Sequence, residues 1–164
     1  MTVEATRVGS RNSSRHVCRE KKKTRLSFTG DVNNQDILIG SHGNAEIKVN
    51  GTFELSGIIY NPKNTVTLMI KGDGRISFRG KCFRIIIKEM TGNCTLDLSE
   101  VTYKELHCEL LQGKSIVITG NTRAISPAVL DDEAVLHVNN NHLLFNPVTH
   151  GKSRIIKNGY CPCE

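Results

Sequence analysis

Apolar and polar residues alternate through most of the chain, as in Arg75-Ile76-Ser77-Phe78-Arg79 and Thr95-Leu96-Asp97-Leu98-Ser99. A period of two marks strands that bury one face and solvate the other. A second, longer period lies over the first between Val66 and Val138, where apolar residues return every twenty positions. Ile76, Leu96, Ile116 and Leu136 form one row, and Phe78, Leu98, Ile118 and Val138 a second. Val66, Ile86 and Leu106 form a third, and Ile70, Met90, Leu110 and Leu130 a fourth. Strands repeating at a fixed spacing predict a solenoid in which each coil covers the apolar face of the next. The expected fold is all-β: a single-domain parallel β-helix or β-solenoid over residues 26–158, with about five coils of roughly 20 residues.

Turn chemistry fits this period. Asn50-Gly51, Gly72-Asp73-Gly74, Gly92-Asn93 and Gly113 fall between strand-like runs, with Gly57, Gly80 and Gly120 at a second set of corners. Glycine serves where a backbone must bend without a Cβ in the way. Asn61-Pro62-Lys63-Asn64 is an insertion, Asp131-Asp132-Glu133 an acidic turn, and Arg154-Ile155-Ile156-Lys157 a closing strand.

Composition adds the ends of the molecule. The 164 residues have 5% aromatics, no Trp and a net charge of +6. All of that excess lies in residues 1–25, in Arg7, Arg11, Arg15, Arg19, Lys21, Lys22, Lys23 and Arg25 set against Glu4 and Glu20. This basic arm reads as loosely ordered. The spacing of four between its arginines would align them on one face of a helix. Its charge offers nonspecific contact with nucleic acid or another anionic surface. Residues 159–164 form a cysteine-containing tail, and both ends are placed to cap open strand edges or to pair with another copy. There is no apolar run long enough for a transmembrane helix and no apolar signal segment in the first thirty residues, so the expected location is cytoplasmic. Cys18, Cys82, Cys94, Cys108, Cys161 and Cys163 have no zinc-finger spacing and read as reduced thiols.

Ile70-Lys71-Gly72-Asp73-Gly74-Arg75-Ile76-Ser77-Phe78-Arg79-Gly80 resembles the recurring unit of the auto-transporter adhesin head GIN domain family. Thr91–Leu98 and Gln112–Gly120 resemble it more loosely, and Leu136–Phe145 with Gly151–Ile155 resembles the way that family closes. The resemblance implies a right-handed β-helix-like solenoid of bacterial origin, adhesin-like and attached to the cell envelope.

Candidate chemistry lies on the outward rows. Between the apolar rows these read Ser77, Asp97, Val117, His137, and then Arg79, Ser99, Thr119, Asn139. The regular polar spacing suits a glycan or protein polymer, and Ser77, Arg79, Asp97, Ser99, Thr119, His137 and Asn139 are the candidate binding residues. Asp97 and His137 would stand about 10 Å apart on stacked coils, too far to act together on one atom. No phosphate loop, nucleophile elbow or zinc-protease motif occurs, and no cofactor or metal is expected. The reading is therefore a non-enzymatic structural or binding module. A polysaccharide lyase or hydrolase on the same fold, and anion binding through the basic arm, are the alternatives.

Overall fold

The computed structural model describes residues 3–6, 14–20, 23–40, 43–139 and 147–157. It is all-β, a single-domain solenoid of about six turns built on parallel pairing, where the period predicts about five. The strands are β1 (Val3–Thr6), β2 (Ser14–Glu20), β3 (Lys23–Ile39), β4 (Asn44–Thr91), β5 (Cys94–Leu111), β6 (Ile116–Ile118), β7 (Asn121–Leu130), β8 (Val135–Val138), β9 (Val148–Thr149) and β10 (Arg154–Lys157). β3 lies in parallel register on β4 from Lys23↔Asn44 to Ile39↔Ile59, and β4 on β5 from Gly74↔Cys94 to Met90↔Leu111. The carboxy-terminal turns continue through β6, β8 and β10 on one side and through β7 and β9 on another.

Each turn has three stretches. The first buries residues such as Ala45, Ile47 and Val49, or Leu106, Cys108 and Leu111. A glycine corner then leads into the second, which buries Ile76 and Phe78, Leu96 and Leu98, or Leu136 and Val138. The third carries Ile59, Cys82, Val101 and Tyr103 inward. Stacking turns buries these residues in one continuous core along the axis, the dominant favourable term in such a fold.

The twenty-residue count breaks in two places. Leu96 stacks on Val117, and Val117 on Leu136; those steps are 21 and 19 residues. Val117 is therefore fully buried, while Ile116 and Ile118 point outward and are half-exposed, the reverse of the predicted rows. Likewise Leu106 stacks on Ile85 rather than Ile86, and Met90 on Leu111 rather than Leu110. Each slip falls in an uninterrupted apolar run (Ile85-Ile86-Ile87, Leu110-Leu111, Ile116-Val117-Ile118), where alternation carries no phase.

Within the arm that the sequence marks as loosely ordered, two stretches run antiparallel along the first turn. β1 pairs with Asp36–Ile39 and β2 with Lys23–Thr29. Arg15 and Arg19 thus lie on a strand and not on a helix. The open edge of β3 supplies unpaired backbone groups that such a strand satisfies. Arg7, Arg11, Lys21, Lys22 and the tail 159–164 lie outside the described residues.

Candidate functional site

A groove of about 540 Å³ runs along the solenoid at the bend between the second and third stretches, crossing four turns. Two outward rows form its walls. One is Asp36, Ser56, Ser77 and Asp97, and the other Leu38, Ile58, Arg79 and Glu100. Register produces this: Asp36 stacks on Ser56 and Ser77 on Asp97, while Leu38 stacks on Ile58 and Arg79 on Glu100. Four turns at one strand spacing each make the groove about 14 Å long. Its floor is backbone at Ile37, Gly57 and Phe78. A Cβ on Gly57 would lie 2.7 Å from the Ile37 carbonyl oxygen and 2.9 Å from Phe78 Cε1, so the ring packs where a side chain would otherwise sit. Ile58 and Leu38 are 38% and 36% exposed, which gives the second wall an apolar, solvent-facing end.

The polar wall is ordered by its own bonds. Ser56 Oγ donates to Asp36 Oδ1. Asp97 Oδ1 accepts from Ser99 N–H at 3.0 Å and from Ser99 Oγ at 2.6 Å, and its Oδ2 pairs with Arg75 at 2.5 Å. Partial burial opposes ionisation of Asp97, but the two Ser99 bonds and the Arg75 guanidinium outweigh it and hold the carboxyl below its ordinary range.

Of the seven predicted binding residues, Ser77, Arg79, Asp97 and Ser99 line the groove. Thr119 does not: it is fully buried, its Oγ1 accepting the Asn139 N–H at 2.8 Å. The slip of one residue at Val117 turns it inward with Val117. Half-buried His137 stacks on Ile118, itself stacked on Asp97, and Asn139 is exposed beyond the end of β8. Asp36, Leu38, Ser56, Ile58 and Glu100 are groove residues that sequence reasoning missed. Carrying the Ser77–Asp97 row back two turns, by 21 and then 20 residues, reaches Ser56 and Asp36.

Other candidates resolve into structure. The acidic turn holds backbone: Asp131 Oδ1 accepts the Asp132 N–H, and Asp132 Oδ2 the Gly113 N–H. Among the described residues no group of three or more His, Cys, Asp or Glu side chains is placed to hold a metal ion. Cys82, Cys94 and Cys108 are free and buried, and burial pushes each thiol up to about 12, so they are protonated and unreactive. Tyr103, which the spacing aligns with Phe83 and Arg123, is buried, and its hydroxyl accepts the Gly120 N–H at 3.0 Å. Arg25 is exposed, with its guanidinium 3.9 Å from Glu46. Among the described residues no helix is long and apolar enough to cross a membrane.

Comparison with protein-family models, curated proteins and solved structures finds no match to this chain.

Proposed function

We propose that this protein is a non-enzymatic binding module whose groove holds an extended, hydroxyl-rich glycan. The observation that carries this reading is the pairing of a polar row, Asp36–Ser56–Ser77–Asp97, with the partly apolar row of Leu38 and Ile58 across one open groove. A sugar ring presents the same two characters, a rim of hydroxyls and an apolar face. Carboxylate and hydroxyl side chains accept and donate to the rim, while Leu38 and Ile58 cover the face. Repetition along the axis favours a chain of sugars over a single one.

The same geometry argues against turnover. Asp36 and Asp97 are separated by three turns, about 14 Å, beyond the span of carboxylate pairs that cleave glycosidic bonds. Asp97 is held ionised, whereas a general acid needs its pKa raised. The resemblance of residues 70–80 to the head GIN unit adds an adhesin-like, surface-attached role to this proposal.

Glycan-array binding by the whole chain and by the double variant Asp97→Ala/Arg79→Ala tests it. The expected result is discrete glycan binding by the wild type that the variant loses, with no shortening of the bound glycan on prolonged incubation. Equal binding by both proteins removes the groove from the function, and release of shorter products replaces binding with catalysis.

A further inference from the structure

Beyond the arm, acidic and basic residues are balanced in number but not in placement. On the outward face of the third stretch and the corner that follows it stand Lys63, Arg79, Lys81, Lys104 and Arg123, all exposed, with Glu100 as the one acidic residue. Elsewhere cations are matched: Lys48 with Glu46, Lys71 with Glu89, Arg75 with Asp97 and Arg84 with Glu105. Among the described residues none of the five on this face forms an ion pair. Lys81 stacks on Thr102 and Thr102 on Asn121, which sets a hydroxyl and an amide beside the charges. Tyr60, 60% exposed, stands at the amino-terminal end of the face.

We infer that this face is a docking surface for a linear acidic polysaccharide, distinct from the groove and independent of the groove's ligand. Five like charges left unneutralised on one flat surface repel one another, and a polyanion that displaces their counterions reverses that cost. Thr102 and Asn121 lie among the cations to meet hydroxyls. Single-stranded nucleic acid is the competing polyanion, and its sequence-tolerant binding stacks successive bases on successive rings. Here Tyr60 is the one open ring among the described residues. Phe83 lies under Lys104 Nζ, 5.1 Å from its centroid, and the Arg84 guanidinium, 5.6 Å away, and Tyr103 is buried. Charge without a stacking series favours the polysaccharide.

The test is fluorescence polarisation of a labelled heparin oligosaccharide against the full chain over a salt series, with oligothymidylate of matched charge as the second probe. Lys81→Gln/Lys104→Gln/Arg123→Gln is expected to weaken heparin binding by more than about 10-fold and to flatten the salt dependence by about 2 to 3 in log–log slope. Arg15→Gln/Arg19→Gln, in the basic arm, is expected to change affinity by less than about 3-fold. Circular dichroism reports folding. Should the triple variant misfold, Lys81→Glu and Arg123→Glu singly are each expected to lose at least about 3-fold. Wild-type affinity in the face variants, loss of binding in the arm variant, or tighter binding of oligothymidylate than of heparin would each overturn the inference.

Discussion

The solenoid turns its glycine corner in two different ways along its length. At Gly30, Gly51, Gly72 and Gly92 the backbone passes with φ of 91°, 129°, 123° and 107°, and strand runs unbroken through the first three. At Gly113, Asp132 and Gly151 φ is 70°, 55° and 64°, and a turn bond closes the last two, from Ala134 N–H to the Asp131 carbonyl and from Ser153 N–H to the His150 carbonyl. In the early turns a Cβ would strike backbone: one on Gly72 would lie 1.9 Å from the Gly51 carbonyl oxygen, and one on Gly51 2.1 Å from that of Gly30. In the later turns the conformation is ordinary left-handed helical, which Asp and Asn tolerate. Hence the single non-glycine in the column, Asp132, sits there. The early corners fix turns so tightly that only glycine fits, and these are the turns the groove crosses.

The same substitution placed at both kinds of corner breaks this comparison most sharply. Gly72→Asn is expected to lose at least about 4 kcal/mol and to unfold the early turns, because backbone clash and forbidden φ act together. Gly113→Asn is expected to cost about 1 kcal/mol, since its φ is permitted and the nearest backbone atom lies 3.0 Å from the added Cβ. Urea melts of the two variants measure the difference, and equal losses would erase the distinction.

Ser115 sharpens it inside the later turns. At the position after the glycine corner, Cys94 Sγ donates to Thr91 O and Ser153 Oγ to His150 O, three residues back in each case. Ser115 Oγ, buried in the same register, has no partner. Ser115→Ala is expected to raise stability by about 1 kcal/mol by removing an unsatisfied hydroxyl. Ala134, stacked on it in the next turn, already has that side chain. Asp132→Gly is expected to change stability by less than about 1 kcal/mol, because relief of the left-handed φ offsets the lost bond to Gly113 N–H.

The smallest effect belongs to Asp97. Its folded-state pKa lies below the ordinary 3.8, so its contribution is complete above that value and is lost as pH falls through the folded one. Asp97→Asn is expected to flatten the stability–pH profile below about pH 5 and to leave its shape at neutral pH unchanged. An unaltered acid limb in thermal melts would contradict the role given to Ser99 and Arg75.

Much of the fold was legible because repetition is written in side-chain type. Where polar residues separate the apolar ones, as at Ile76-Ser77-Phe78 and Leu96-Asp97-Leu98, phase and register follow directly. Where apolar residues adjoin, at Ile116-Val117-Ile118, three β-branched side chains fit either phase and stacking on Leu96 and Leu136 decides. That ambiguity misplaced Thr119 and hid the inward turn of Val117. The groove was half legible for a related reason. Ser77, Arg79, Asp97 and Ser99 come from the regular turns, while Asp36 and Ser56 follow a register shift between Val32 and Gln35 that no count of twenty anticipates. The segregation of cations onto one face was not legible at all, since it depends on which turn stacks on which.

The central claim is that the groove binds and that the solenoid behind it only supports it. Equilibrium titration of an array-positive glycan against the wild type and Ser77→Trp, whose indole would fill the middle of the groove, tests this most directly when paired with thermal melts of both proteins. The account predicts affinity weaker by more than about 10-fold with Tm moved by less than about 3 °C. Unchanged affinity in a folded Ser77→Trp protein would contradict it.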